Sequence, residues 1–389
     1  MTVLFWCCFG IIIYTYIGYA VLLFILTRFK KSVQSEVNAV ELPTVTFLVA
    51  AYNEEKDIIT KIINSLAFDY PKDKITYFFV TDGSDDRTPE LIDNYAIPAD
   101  TNLQLFHHPE RRGKIAAVNR IMPLVDSDIT IYSDANTYVN PEAIQHIVRH
   151  YQHSKVGAVA GEKRIEQNQR EDASSAGEGI YWKYESALKK WDSQLNSVVG
   201  AAGELFSIRT KLYEEPPQDS IVEDFYMTMR IAAKGYRVAY EPEAYAMETA
   251  SASVSEELKR KIRIAAGGFQ SIARLTDLLN PFRYGLLTFQ YVSHRVLRWT
   301  LAPLSLIVLF FCSLYLSVEH GSWYRIFFIL QVVFYGLAFI GYLLEHRKIK
   351  TKIFFVPYYF CVMNYAVIRG FFRYLSGRQS VVWERAKRA

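Results

Sequence analysis

Residues 44–68 read TVTFLVAAYNEEKDIITKIINSLAF and join an apolar run rich in Val and Phe to a segment whose apolar residues have helical spacing. The same order returns three times further on, where strand-like runs such as ITYFFVTDGSDD (75–86) and DITIYSDAN (128–136) each precede a helical pattern. Strands that alternate with amphipathic helices are typical of a mostly parallel sheet covered on both faces. The sequence therefore predicts an α/β domain over about residues 40–275.

Membrane-spanning segments are predicted on both sides of this domain. Residues 1–28 carry no charge before Arg28 and exceed the roughly 20 apolar residues that a transmembrane helix needs. Arg28, Lys30 and Lys31 follow this stretch, and the positive-inside tendency then places the α/β domain in the cytoplasm. We therefore expect an integral, multi-pass protein of the cell (inner) membrane.

Residues 299–375 are predicted to contain about two to three further spans. The stretches 299–318 and 326–344 are uncharged and long enough, whereas 353–368 is shorter, contains Pro357 and precedes many basic residues. Three C-terminal spans would place those basic residues outside, against the charge rule, so we interpret the last stretch as re-entrant or interfacial.

Two more segments are predicted near the C-terminal membrane region. Mixed aromatic, apolar and basic residues over 281–298 predict an amphipathic interfacial helix. Residues 376–389 form a basic C-terminal tail.

Polar side chains follow three of the predicted strands, at the point where each strand ends. They are Tyr52, Asn53 and Glu54 after the first strand, Asp82 after the second, and Asp134 and Asn136 after the fourth. A single residue of this kind usually makes a turn or caps the next helix. The carboxyl ends of parallel strands share one edge of the sheet, where ligands bind, so three such sets together favour a shared site.

Several common nucleotide, metal and hydrolase motifs are missing from the sequence. RRGKIAAVN (111–119) has a single Gly before its Lys instead of a P-loop, and no G-x-G-x-x-G follows the first strand. Ser-centred elbows and zinc-type His spacings are also missing, which disfavours a hydrolase triad or a zinc enzyme. The four cysteines lie in apolar segments without metal-type spacing, and a net charge of +4 with basic residues near the membrane ends gives no indication of nucleic-acid binding.

Six short motifs occur in an order that resembles the family 2 glycosyltransferases with a GT-A-type fold. They are VAAYNEE, TDGSDDRT, GKIAAVN, SDANT, GAAGELFSIR and VEDFYMTMRI, and they cover about residues 43–275. The flanking apolar segments resemble those of membrane-bound members that build polysaccharides or glycolipids. The resemblance implies a Rossmann-like, mostly parallel sheet in a cytoplasmic domain with flanking transmembrane helices, and a nucleotide sugar as donor.

The resemblance also implies roles for individual residues at the strand ends. It assigns the following residues to binding of the nucleotide sugar: Ala51, Tyr52, Glu54, Asp82, Lys114, Ser133, Asp134, Arg260 and Arg263. Asp134 matches the first acid of the DxD-type motif that holds Mg²⁺ or Mn²⁺, and Asn136 replaces the second acid. A hard cation with oxygen ligands neutralises the charge that develops on the diphosphate. The amide of Asn136, unlike a carboxylate, contributes no charge to this site.

Asp224 matches the catalytic Asp of the family and is the candidate general base. In a single displacement with inversion, a carboxylate accepts the proton of the acceptor hydroxyl as that oxygen attacks the anomeric carbon. Taken alone, an Asp at this position is more simply a helix-start charge. The resemblance also implies an acceptor-binding role for Gly203, Glu204 and Glu223, with core packing or a helix-start charge as the alternatives.

Residues 258–270, LKRKIRIAAGGFQ, fall where polymer synthases of this family carry Q-x-x-R-W. Arg263 keeps the Arg of that motif, whereas its Gln and Trp are replaced, so a long polymer product is not implied. We expect Arg263 to contact the diphosphate. Alternatively, the cations of this stretch face lipid headgroups.

The expected function is an inverting glycosyltransferase of the hexosyltransferase class, with a UDP-hexose or UDP-N-acetylhexosamine as donor. The expected acceptor is a growing polysaccharide or a polyprenyl- or other lipid-linked glycan at the membrane, and export or polymer-synthesis proteins are expected partners. The alternative is a non-catalytic, nucleotide-binding regulatory subunit of a polysaccharide export complex. Asn136 and the weakened arginine motif favour that alternative, whereas Asp82, Asp134 and Asp224 disfavour it.

Overall fold

A computed structural model describes residues 1–30, 41–166, 173–249, 254–345 and 352–377. Its centre is one eight-stranded sheet with the spatial order β3-β2-β1-β4-β7-β6-β8-β5. The strands are β1 Val45–Ala51, β2 Ile75–Asp82, β3 Asn102–His108, β4 Ile129–Asp134, β5 Tyr138–Val139, β6 Val156–Glu166, β7 Leu205–Arg209 and β8 Arg237–Thr249. The helices are α1 Thr2–Ile13, α2 Tyr19–Phe29, α3 Ile58–Leu66, α4 Thr88–Asp93, α5 Lys114–Ile121, α6 Ala143–Val148, α7 Ala173–Leu195, α8 Glu223–Ala233, α9 Val254–Arg274, α10 Pro281–Tyr284, α11 Leu286–Tyr291, α12 Leu297–Trp299, α13 Leu301–Glu319, α14 Ser322–Glu345 and α15 Lys352–Leu375.

The first half of the sheet is parallel. β2 and β4 lie on either side of β1, and Val49 pairs in register with both Phe79 and Ser133. β7 then runs antiparallel to β4 and β6, while β6 and β8 are parallel. The structure confirms the α/β fold with a mostly parallel sheet, and it aligns the carboxyl ends of β1, β2 and β4 at one edge.

Helices cover both faces of the sheet, which explains why its central strands are apolar almost throughout. On one face, Ile58 and Ile62 of α3 pack with Phe47 and Phe79 in a buried cluster. On the other face, the buried residues of α5 and α8 pack against the opposite side chains of the same strands. Because both faces are buried, β-branched and aromatic residues fill consecutive positions and not alternate ones.

Four helical segments of the described residues are long and apolar enough to cross a membrane. Thr2–Phe29 combines α1, a π-helical turn and α2, and the other three are Leu301–Glu319, Trp323–Leu344 and Ile353–Leu375. The last of these is longer than the 353–368 stretch read from the sequence.

The two ends of α15 have different neighbours. Near its start, Phe354 packs closely against Gly341 of α14. Toward its end, Gly370 packs against Ala265 and Ala266 of α9, and the ring of Phe371 lies 5.1 Å from that of Phe269. The C-terminal half of α15 therefore lies on a helix of the α/β domain, and a re-entrant or interfacial position remains a prediction. Residues 378–389 of the predicted basic tail lie outside the described residues.

Residues 281–298, which we predicted as one amphipathic interfacial helix, are helical in two pieces. Gly285, with φ of +52°, separates α10 from α11, and a π-helical turn over Val292–Val296 leads into α12. Several of its polar side chains, including Gln290 and His294, are fully buried in the protein. His294 and Gln290 have hydrogen-bond partners inside the protein, and an interfacial position of the segment remains a prediction.

The buried polar residues of this segment connect the N-terminal membrane helix to the α/β domain. The Tyr19 hydroxyl of α2 donates a hydrogen bond of 2.5 Å to Asp192 Oδ1 in α7. His294 Nδ1 lies 2.6 Å from the other oxygen of Asp192, and Arg298 pairs with Glu185 of the same helix. Buried charges are tolerated when they are paired in this way, so the network fixes α2 and α7 relative to each other.

Candidate active site

The ends of β1, β2 and β4 bring the acidic residues predicted from the sequence to one edge of the sheet. β1 ends at Ala51 and continues into Tyr52, β2 ends at Asp82, and β4 ends at Asp134. Glu54 lies in the turn after β1, where its backbone N–H donates a 2.7 Å hydrogen bond to Thr88 Oγ1.

Asp82 is held by backbone groups of the loop before α5. Its Oδ2 accepts hydrogen bonds from the N–H groups of Arg112 (2.7 Å) and Gly113 (2.6 Å), and its side chain is only 5% exposed. Gly113 has φ of +97°, a conformation that L side chains rarely adopt, so a glycine suits this loop. The loop also places the Arg111 guanidinium 3.6 Å from the centre of the Tyr52 ring. One loop therefore contacts both Asp82 and Tyr52.

Lys114, the first residue of α5, forms a three-membered ion cluster with Asp134 and Glu223. Its Nζ lies 2.8 Å from Asp134 Oδ1 and 3.0 Å from Glu223 Oε1. Burial disfavours the ammonium, but the two carboxylates outweigh burial and raise the pKa of Lys114. Burial also raises the pKa of Asp134, with Lys114 opposing this effect and Glu204 adding to it.

Asp224 begins α8 together with Glu223 and faces the same cluster. Burial and the neighbouring charge of Glu223 raise the pKa of Asp224 to about 7. A Cβ atom added to Gly203 would lie 3.4 Å from Asp224 Oδ2 and 3.8 Å from Lys114 Nζ. The glycine therefore leaves space directly beside the carboxylate and the ammonium.

Arg263 and Arg260 on α9 occupy different positions. The charge of Arg263 interacts with Glu223, Asp134 and Asp224, and burial lowers its pKa. Arg260 pairs at 2.8 Å with Glu257 of its own helix and lies 3.7 Å from Glu248. Arg263 is thus part of the charged cluster, while Arg260 is held next to it by carboxylates.

The Glu204 carboxylate forms ion pairs with neighbouring cations. Lys163, whose side chain is fully buried, pairs with Glu204 at 2.5 Å and also with Glu248. Burial opposes ionisation of Glu204, but Lys163 and then Arg260 outweigh it and hold its pKa well below the ordinary value. An acceptor contact by Glu204 stays a prediction, and its carboxylate is already paired.

The loop that carries Asp134 rests on a buried lysine. Lys61 of α3 donates hydrogen bonds to Ser133 Oγ (2.7 Å) and to the Thr137 carbonyl (2.9 Å), and its side chain is 1% exposed. Burial lowers the pKa of Lys61 to about 7, against the effect of the Asp134 charge. Ser133 also donates to the Glu204 carbonyl and is 2% exposed, so a direct donor contact by Ser133 remains a prediction.

The chemistry of the loop residues fits a divalent cation with few protein ligands. Asp134 offers a carboxylate whose side chain is 16% exposed, and Asn136 offers an amide oxygen. Within the part of the chain that the structure describes, no three His, Cys, Asp or Glu side chains come together as a metal site. Mg²⁺ and Mn²⁺ bind through one or two carboxylates with phosphates and water completing the shell, so this donor set fits such an ion together with a diphosphate.

Comparisons with known proteins show which proteins the domain resembles. Residues 46–215 match the model of glycosyl transferase family 2. This part of the chain is similar to glycosyl transferase family 2. This domain contains Tyr52, Asp82, Lys114 and Asp134, while Asp224 follows the matched residues.

Two relatives and one solved structure are similar to the chain. A poly-β-1,6-N-acetyl-D-glucosamine synthase from Staphylococcus aureus (strain COL) is 30% identical over 254 residues, which are 64% of this chain and 60% of the relative. A β-monoglucosyldiacylglycerol synthase from Nostoc sp. (strain PCC 7120) is 27% identical over 267 residues, 66% of this chain and 55% of the relative. The chain thus spans little more than half of these relatives.

A mannosyltransferase from Pyrobaculum calidifontis, solved with GDP-Man and Mn²⁺, shares the fold of the chain. Its TM-score is 0.72 at 22% identity, with 96% of this chain and 99% of that chain covered. The GT-A-type fold implied by the sequence motifs is therefore confirmed.

The site contains residues that the sequence motifs did not indicate. Arg111, Lys61 and Lys163 were not predicted, although Arg111 lies within the RRGK stretch. Lys61 and Lys163 occupy positions in a helix and a strand that give no motif signal, since only the fold brings them under the site. By contrast, Lys114, Glu223, Asp224 and Arg263 were predicted, and the structure brings them together.

Proposed function

We propose that the chain is an inverting glycosyltransferase that transfers a sugar from a nucleotide sugar to a hydroxyl group at the membrane. The observation that carries this proposal is Asp224, a half-buried carboxylate with a pKa of about 7 that lies beside Gly203 and faces the Lys114, Asp134 and Arg263 cluster. A general base works best when its pKa is near the working pH. The family 2 domain over residues 46–215 supports the same reaction class.

In the proposed reaction, Asp224 accepts the proton of the acceptor hydroxyl as its oxygen forms a bond to the anomeric carbon. The bond between that carbon and the diphosphate oxygen breaks on the opposite face, and the nucleoside diphosphate leaves with the electron pair. Lys114 and Arg263 lie among carboxylates at this edge of the sheet. From there they supply positive charge to the departing diphosphate. Gly203 leaves the space beside Asp224 in which the acceptor hydroxyl would lie.

Asp134, with the amide of Asn136, would hold Mg²⁺ or Mn²⁺ in the same site. When bound, such an ion supplies Lewis-acid stabilisation of charge on the diphosphate. Asp82 and Tyr52, on the other side of the sheet edge, would bind the ribose and base of the nucleotide, where a buried carboxylate and an aromatic ring suit a sugar hydroxyl and a base.

The proposed donor is a UDP-hexose or a UDP-N-acetylhexosamine, and the proposed acceptor is a growing polysaccharide or a lipid-linked glycan. The names of the two relatives support these two acceptor classes, since one is a synthase of an N-acetylglucosamine polymer and the other of a glucosylated diacylglycerol. The four helices of spanning length support a multi-pass position in the cell (inner) membrane. Arg28, Lys30 and Lys31 after the first apolar stretch support a cytoplasmic position of the catalytic domain. Membrane lipids and polysaccharide export proteins are the proposed partners.

The test is a transfer assay on the full chain in lipid nanodiscs. UDP-, GDP- and dTDP-sugars are supplied with and without Mn²⁺, and release of the nucleoside diphosphate is followed with and without added membrane lipid extract. We expect Mn²⁺-dependent release from one donor class and a product with inverted anomeric configuration by NMR. Donor binding without any release would support the regulatory subunit instead.

A further inference from the structure

Lys114 forms an ion pair with Asp134, the proposed metal ligand. Its Nζ lies 2.8 Å from Asp134 Oδ1, and both side chains are largely buried, with 15% and 16% exposure. The same ammonium lies 3.0 Å from Glu223 Oε1. One carboxylate oxygen of the proposed metal ligand is therefore already neutralised by a cation of the protein itself.

We propose that Lys114 is a resident cation that competes with the divalent metal ion for Asp134, and that a donor diphosphate relieves this competition. The inference rests on the proposed function, because it concerns the metal and diphosphate site of that reaction. It gives Lys114 a role beyond donor contact: it keeps Asp134 neutralised while no donor is bound.

The competition follows from charge and from distance. A divalent cation on Asp134 would lie close to the ammonium, and like charges at short range in a poorly solvated site repel strongly. Lys114 must therefore leave Asp134 when the metal binds. Its flexible four-carbon side chain already touches Glu223, so it can keep that partner while it releases Asp134.

A diphosphate changes this balance, because it brings negative charge to the same edge of the sheet. Lys114 then has an anionic partner on the ligand, and Asp134 becomes free for the metal. The metal and the nucleoside diphosphate are therefore expected to bind cooperatively, and Lys114 is expected to carry part of their coupling free energy.

The experiment measures Mn²⁺ binding directly, by the EPR signal of free Mn²⁺, with the full chain in detergent. Lys114→Met removes the ammonium at similar length, and Lys114→Gln provides a second neutral variant if the first does not fold. Lys114→Arg keeps the charge. Lys61→Met is the matched control, because Lys61 is a buried lysine whose charge also acts on Asp134 but whose Nζ hydrogen-bonds Ser133 and Thr137.

Without nucleotide, we expect the neutral Lys114 variants to bind Mn²⁺ with a Kd about tenfold lower than the wild type, within the usual range of coupling between sites. Lys114→Arg should stay near the wild type, and Lys61→Met should gain much less. With saturating UDP or GDP, the difference between Lys114→Met and the wild type should shrink, since the diphosphate has already drawn Lys114 away.

Three outcomes would overturn the inference. If the wild type binds Mn²⁺ and the neutral Lys114 variants bind it equally or more weakly, Lys114 does not compete, while the proposed function stands. If Lys61→Met tightens binding as much as Lys114→Met, the effect is one of general charge and not of contact. If the wild type binds Mn²⁺ neither alone nor with UDP or GDP, the proposed metal site itself fails.

Discussion

Replacement of Asp224 by Asn tests the catalytic role of this carboxylate while it keeps the size and shape of the side chain. Asp224→Asn removes the group that would accept the proton of the acceptor hydroxyl. A positioned general base typically contributes about 10² to 10⁴ in rate, so kcat should fall by at least about 100-fold. The KM for the donor should change little, because Asp224 faces the acceptor side beside Gly203.

The pKa of Asp224 adds a pH signature to this prediction. With a pKa of about 7, the carboxylate is ionised to about 10% at pH 6 and about 90% at pH 8. Because the ionised form is the active base, kcat/KM of the wild type should rise about tenfold over this range. Glu223→Gln removes the like charge that helps to raise this pKa, so its profile should move to lower pH.

The same pKa predicts that the free energy of unfolding falls as the pH rises, whereas the activity rises. An unfolded Asp has a pKa of about 3.9, whereas Asp224 in the folded protein has a pKa of about 7, so the native state binds more protons between these values. Its ionisation therefore lowers the free energy of unfolding as the pH rises from about 4 to about 7. Asp224→Asn should have a higher Tm than the wild type at pH 8, and the difference should shrink toward pH 5.

The assay is initial-rate transfer in nanodiscs from pH 5.5 to 8.5, with thermal unfolding measured over the same range. Donor binding, measured by calorimetry, verifies that the variant retains its site. The reasoning would be refuted by an Asp224→Asn protein that transfers sugar within tenfold of the wild-type rate. A wild-type rate that is flat between pH 6 and pH 8 would refute the assignment of the base.

Three further predictions concern other parts of the molecule. Asp134→Ala should lower Mn²⁺-dependent transfer by about 100-fold or more, as loss of a transition-state charge partner does, whereas Asn136→Ala should cost less because it removes no charge; equal losses in steady-state kinetics would contradict this. Arg111→Ala should raise the Kd for UDP by calorimetry, since its guanidinium stacks on the Tyr52 ring at 3.6 Å, and an unchanged Kd would show that this pair lies outside the nucleotide pocket. Tyr19→Phe should destabilise the protein by about 1.5–3 kcal/mol, because its hydroxyl donates to a fully buried carboxylate, and a Tm in detergent equal to that of the wild type would exclude this role.

The strands, and with them the position of the site, follow closely from the sequence. The runs that end in Tyr52, Asp82 and Asp134 are mostly apolar. Because β2, β1 and β4 are parallel neighbours, the ends of these runs lie at the same edge of the sheet. Lys114, Asp224 and Arg263 depended on motif resemblance, because their meeting requires α5, α8 and α9 to converge. No local pattern encodes that convergence.

The buried charges could not be predicted in the same way. Lys61 and Lys163 look like solvent-facing residues of a helix and a strand, and only the packed fold shows that the loop and the carboxylates above them supply their partners. His294 and Arg298 in residues 281–298 are a similar case, since they pair with Asp192 and Glu185 inside the protein and no sequence pattern indicates these partners. A polar residue at an amphipathic position does not reveal whether its partner is water or another buried group.

Release of nucleoside diphosphate by the full chain in nanodiscs, with Mn²⁺ and a panel of UDP- and GDP-sugars, tests the central claim most directly. A glycosyltransferase with Asp224 as base should release the diphosphate from one donor class with Mn²⁺ present, and the Asp224→Asn protein should bind that donor without release. A wild-type protein that binds a nucleotide sugar yet releases no diphosphate in the presence of membrane lipid extract would contradict the claim.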